Sequence, residues 1–133
     1  MLLPAKPKLI AVDRDDATLR EICMALRGMI EVLPLKDPQQ ALATIAHDPA
    51  VVAVIVDQNA HPHHGLAVLQ QVRKTSEKIR RVLLAAPGEL CKLIEGLHSG
   101  DIQRVVYKPI NRRELLASVV SVIPAPRQQK RSA

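Results

Sequence analysis

Val51-Val52-Ala53-Val54-Ile55-Val56-Asp57 is the stretch from which the rest of the chain can be read. A short apolar run rich in β-branched residues, with no polar alternation, reads as a β-strand covered on both faces, the environment of a parallel sheet. Asp57 closes that run. A carboxylate at the end of a buried parallel strand stands at the sheet edge where α/β proteins bind ligands, desolvated yet reachable.

Two other runs end in the same manner. Leu9-Ile10-Ala11-Val12 leads into Asp13, and Val105-Val106-Tyr107 leads into Lys108-Pro109. Three parallel neighbouring strands would bring two carboxylates and one ammonium to one rim, fit to hold a cation and a transferred phosphoryl group. The plainer alternative is a surface ion-pair network.

Outward from these runs, apolar strands alternate with amphipathic stretches five times, the pattern of a parallel sheet with crossover helices. Strands are expected at Lys8 to Val12, Glu31 to Leu35, Val51 to Asp57, Ile79 to Ala85 and Arg104 to Tyr107. Asp15 or Asp16 can cap a first helix carrying Leu19, Ile22, Cys23 and Leu26, with Gly28 as its stop. Asp37 with Pro38 opens a second over Gln39 to Ala46, and a third runs from Leu66 to Lys74 after the loop Asn59 to Gly65. Pro87-Gly88 breaks the chain before a fourth helix, Glu89 to His98, with a stripe of Leu90, Leu93, Ile94 and Leu97 and a stop at Gly100. Asn111 caps the last, whose Leu115, Leu116, Val119, Val120 and Ile123 are expected to face inward.

Helices on both faces and right-handed crossovers require a chain reversal, which gives strand order 2-1-3-4-5 with a switch point between strands 1 and 3. Asp13 and Asp57 fall at that crevice. The expected fold class is therefore α/β, a single doubly wound five-stranded parallel sheet, with an N-terminal extension over 1–7, a domain over 8–123, and a tail or linker over 124–133.

The chain has 133 residues, enough for one domain with a real core. With one Tyr and no Trp or Phe, that core is aliphatic, and stacking on nucleic-acid bases is not expected. The formal charge of +6 falls to +3 without Arg127, Lys130 and Arg131 of the tail. Arg73, Lys74, Lys78, Arg80 and Arg81 read as a solvated face. Cys23 and Cys91 sit in helical patterns and read as reduced apolar fillers. No leader opens the chain and no apolar stretch nears the roughly 20 residues of a membrane span, so a cytoplasmic protein is expected.

Asp13, Asp57 with Gly65 eight positions on, and Lys108-Pro109 followed by Glu114-Leu115 stand at the spacing of a known family. Over about residues 8 to 123 the chain resembles the flavodoxin-like receiver domain of two-component response regulators, the family of the chemotaxis receiver. The stretch RVLLAAPGELCKLIEGLHSGDIQRVVYKP is also similar to receivers that precede output domains in transcriptional activators and cyclic-di-nucleotide phosphodiesterases. The resemblance implies that Asp57 accepts a phosphoryl group and that Lys108 is its counter-ion. It implies magnesium held by Asp13, Asp57 and the backbone carbonyl of Asn59, because an anionic nucleophile approaching a phosphoryl group needs charge screening. It also implies a sensor histidine kinase or phosphotransfer protein as donor, and an output domain or protein partner, with homodimerisation as a further option.

The departures from the family are chemical. Arg14 stands where a second acid is usual, which weakens the metal site unless Asp15 or Asp16 replaces that acid or the guanidinium serves as a counter-charge. The switch hydroxyl aligns with Ala85 or Ala86 and the switch aromatic with Val105, none of which carries the usual polar group. Tyr107 is expected to face the other side of the sheet. The alternative reading is thus a degenerate receiver, a phosphorylation-independent docking or dimerisation module.

His61, His63 and His64 invite a metal reading, but their spacing matches no firm ligand motif. Enzymatic turnover is not expected, because Asn59 stands where an aspartate phosphatase needs a second acid, and no phosphate-binding glycine loop occurs. Direct binding of nucleic acid is not expected either, since no helix joins a basic face to a helix-turn-helix context.

Overall fold

The structure, a computed structural model, describes residues 6–60 and 64–123. Its strands are β1 (Lys8–Val12), β2 (Glu31–Leu35), β3 (Val51–Asp57), β4 (Arg80–Ala85) and β5 (Arg104–Tyr107). The helices are α1 (Asp16–Ala25), α2 (Pro38–His47), α3 (Gly65–Thr75), α4 (Leu90–Ser99) and α5 (Arg112–Val122). All neighbouring strands pair in parallel, in the expected order 2-1-3-4-5.

Strand alternation divides the core into two layers. Leu9, Ala11, Ala53, Ile55, Val82, Leu84 and Val106 pack with Leu19 and Ile22 of α1 and Leu115 and Val119 of α5. Ile10, Val12, Val54, Val56, Leu83 and Ala85 face α2, α3 and α4 on the other side. Nearly every side chain of β3 is buried, as a continuous apolar run in a central parallel strand requires. Each fully buried Val, Leu or Ile contributes about 1.5–3 kcal/mol, so the aliphatic layers supply the main driving force for folding.

The helix ends follow local chemistry. Asp15, Asp37 and Asn111 cap α1, α2 and α5 through side-chain oxygens that accept from Ala17, Gln39 and Glu114 amides. Gly100 ends α4 in the left-handed conformation at φ +88°. Pro87-Gly88 stands before α4 as expected, within a 3₁₀ turn over Pro87–Glu89 that leads directly into the helix.

Several burial expectations are corrected. Val120 and Ile94 are 56% and 45% exposed, because each lies beyond the edge of its helix's apolar stripe. Cys91 is exposed and Cys23 half-buried, so only the latter acts even partly as a filler. Arg81 belongs to no solvated face: it is 3% exposed, because its strand carries it under the α4–β5 connection. Tyr107 does not face away from Val105. One residue separates them in β5, Val105 packs on the α2–α4 layer, and Val106 takes the opposite one. The expected extension over 1–7 and tail over 124–133 lie largely or wholly outside the described residues. Among the described residues, no helix is long and apolar enough to cross a membrane.

Candidate functional site

Register brings the three charged strand ends together. Val12 pairs with Val56, so Asp13 and Asp57 are the next step on adjacent strands. Leu9, Ala11 and Asp13 share a face of β1, and Ala53, Ile55 and Asp57 share the same face of β3. Lys108 continues the parity of Val106 and so comes off β5 toward that same side. Backbone bonds hold the strand ends: the Asp13 amide donates to Leu35 O at 3.1 Å and the Lys108 amide to Ala85 O at 2.9 Å. The Lys108-Pro109 peptide is cis.

The Lys108 Nζ lies 2.8 Å from Asp13 Oδ2 and 3.2 Å from Asp57 Oδ1. Both carboxylates are buried, Asp13 almost completely. Asp13 Oδ1 accepts from the Asp15 amide at 2.9 Å, and Oδ2 faces the Lys108 ammonium at 2.8 Å. Burial pushes the Asp57 carboxyl above the usual carboxylate range, and the Asp13 charge adds to the rise; the Lys108 ammonium offsets only part of it. For Lys108, burial works against the charge, yet the bond to Asp13 and the attraction of both carboxylates hold its pKa above the ordinary value.

Two like charges with one ammonium between them leave a net negative site. Its hard oxygen donors suit a small divalent cation. Among the described residues no group of three His, Cys, Asp or Glu side chains could hold a metal ion. Asp15 and Asp16 are engaged elsewhere: Asp15 caps α1 and bonds Thr18, and Asp16 pairs with Lys36. Arg14 is exposed, and among the described residues it makes no ion pair or side-chain hydrogen bond. His64 is exposed at the start of α3; His61 and His63 lie outside the described residues.

Ala85 ends β4 buried in the α2–α4 layer, and Ala86 follows it exposed, so neither side chain offers a hydroxyl. Val105 is apolar and half-buried. An aromatic hydroxyl does stand on that side of the sheet: Tyr107 is 37% exposed, two residues nearer the rim.

Two rim residues carry more than the sequence reading assigned to them. Gly65 begins α3 against the back of the site, where a Cβ would stand 2.5 Å from Asp57 O and 2.9 Å from Gln58 Cα. Only glycine allows that approach. Gln58 is buried, and its Oε1 accepts from the Leu66 amide at 3.1 Å. Its glutamine identity after a strand-ending acid was the available signal, since a buried amide requires partners. A groove lined by Gln39, Leu42, Ala67, Val68, Gln70, Gln71 and Lys74 lies between α2 and α3, but it contains none of the rim's charges. The rim is therefore the candidate site.

No protein-family model and no curated protein sequence matches the chain. Solved structures do match in fold. A response regulator receiver domain protein from Clostridium thermocellum superposes with TM-score 0.80 at 19% identity, covering 96% of this chain and 99% of that one. Chemotaxis response regulator CheY4 of Vibrio cholerae gives TM-score 0.77 at 24% identity, over 90% of this chain and 100% of its own. A structure of adenylate cyclase from Rhodopirellula baltica gives 0.81 at 22% identity, over 87% and 86%. The fold of the chain is that of response regulator receiver domains.

Proposed function

We propose that the chain is a signalling receiver module that accepts a phosphoryl group on Asp57. The observation that carries this is the convergence of Asp13, Asp57 and Lys108 within 3.2 Å contacts at one sheet edge. The Asp57 carboxylate attacks phosphorus as the bond to the donor's leaving atom breaks, giving an acyl phosphate; the leaving group carries away the electron pair. Lys108 shifts from the carboxylate oxygens toward the new phosphoryl oxygens and neutralises part of their charge. Asp13, Asp57 and the Asn59 carbonyl would hold a magnesium ion, whose chemistry is to screen the anionic oxygens. The site supports this reading because two buried carboxylates share a single ammonium, which leaves negative charge for a cation to neutralise.

The donor is a sensor histidine kinase or phosphotransfer protein, and the recipient an output domain or partner, in a cytoplasmic pathway; homodimerisation is one route of output. The module performs no turnover of its own, since Asn59 offers no acid to a leaving group. Incubation with a small phosphodonor and magnesium is expected to add one phosphoryl group by mass to the parent and none to Asp57→Asn. An unmodified parent, under conditions that modify an ordinary receiver, overturns the proposal.

A specific observation favours a second reading. Ala85 and Val105 cannot form the polar contacts that separate two states of an ordinary receiver, and a modification without differential contacts shifts no population. In this reading the module docks or dimerises whatever the state of Asp57. It predicts the same oligomer and partner affinity in parent and Asp57→Asn.

A further inference from the structure

We infer that Gln58 is a positioning residue: its buried amide, reaching across the loop to cap α3, holds the backbone at the end of β3 in register with the site. This deepens the reading of Asp57 as phosphoacceptor and rests on it for the cation. Three contacts carry the inference. Gln58 Oε1 accepts from the Leu66 amide at 3.1 Å, Gln58 O accepts from the Gly65 amide at 2.9 Å, and the Gln58 amide donates to Leu84 O at 2.8 Å.

A helix start leaves amides without intrahelical partners, and the residue before the helix usually satisfies one of them through its side chain. His64 occupies that position in α3 and makes no such bond. Gln58, remote in sequence, takes over the task. The helix end is thereby joined to the residue next to Asp57, while the Gly65 close approach and the Ala60 amide bond to Asp57 O at 3.0 Å draw in the same short stretch. Asn59, whose carbonyl the proposed cation site uses, lies between these fixed points. By alternation, Gln58 faces α3 while Asp57 faces the site, so the amide acts through the backbone and never touches the reacting atoms.

The test uses the full chain with Gln58→Leu, Gln58→Glu and Gln58→Leu combined with His64→Asp. Amide hydrogen exchange at Ala60 and Gly65, magnesium titration and thermal melting are measured on each. In Gln58→Leu, exchange at Ala60 and Gly65 is expected to rise about fivefold to tenfold and the magnesium dissociation constant about tenfold or more. Gln58→Glu keeps an acceptor and is expected to restore both toward the parent. Adding His64→Asp supplies a local cap, which should recover melting temperature but not magnesium affinity. Unchanged exchange at Ala60 and Gly65 in Gln58→Leu overturns the inference, as does recovery of magnesium affinity together with stability in the double variant. A parent that binds no magnesium counts against the cation in the proposed function, and exchange at Ala60 and Gly65 then decides the role of Gln58 alone. Should Gln58→Leu fail to fold, Gln58→Asn, too short to reach Leu66, takes its place with the same expectations.

Discussion

The two ends of the sheet both bury charge, and they treat it in opposite ways. At the end opposite the candidate site, Arg81 spends its guanidinium on backbone: Nε donates to Asp101 O, Nη1 to Glu77 O and Ile79 O, and Nη2 to Gly100 O. Burial and the nearby Arg73 lower its pKa, but four carbonyls stabilise the cation. Arg73 reinforces the same connection through Ser99 O at 2.6 Å and Asp101 Oδ1 at 3.1 Å. At the candidate site, by contrast, one ammonium serves two buried carboxylates. A buried charge whose partners are complete fastens the fold, whereas one left short of partners has capacity for a ligand.

Removing the fastener is the hardest test of that contrast. Arg81→Met leaves four carbonyls short of a donor and is expected to destabilise the chain by about 4 kcal/mol in urea unfolding. Phosphoryl uptake per folded molecule should be unchanged. Lys108→Met leaves two facing carboxylates uncompensated, costs about 3 kcal/mol, and should abolish uptake; added magnesium is expected to return part of the stability. A magnesium-insensitive Lys108→Met would blur the distinction between the two ends.

Gly65→Ala drives a Cβ into Asp57 O and is expected to cost about 2 kcal/mol and to slow uptake, measured by the same two assays. Asp57→Asn acts in the other direction, stabilising by about 1 kcal/mol at neutral pH because a desolvated charge is removed. Its pH dependence fixes the sign. With its folded pKa raised, Asp57 is easier to bury protonated, so its favourable contribution is complete below the ordinary aspartate value of 3.8 and is lost as pH rises through the folded pKa. Subtracting the stability curve of Asp57→Asn from that of the parent should show this decline. The smallest effect belongs to Arg14→Ala, expected within about 0.5 kcal/mol by melting because the side chain is exposed.

The fold was legible because β-branched runs and cap residues act locally. The Val51 to Asp57 strand and the Asp37-Pro38 helix start need no distant partner to be recognised. The rim was legible too, since strand parity alone carries Asp13, Asp57 and Lys108 to one side. Arg81 is not legible, because a basic residue near Lys78 and Arg80 resembles solvated charge until the α4–β5 connection closes over it. The role of Gln58 is likewise set by the fold: its partner is the amide of a helix residue eight positions on. Tyr107 departs from the expectation of opposite faces because residues two apart in a strand share a face.

The aliphatic core has an experimental consequence. With no Trp and no other Tyr in the chain, Tyr107 is its sole strongly fluorescent side chain, covalently next to Lys108 and partly open to solvent. The emission of the unlabelled protein therefore comes from one known place beside the acidic rim. Titrating cations or phosphodonors while watching that light gives a built-in optical gauge, with no dye attached and no background from elsewhere in the molecule.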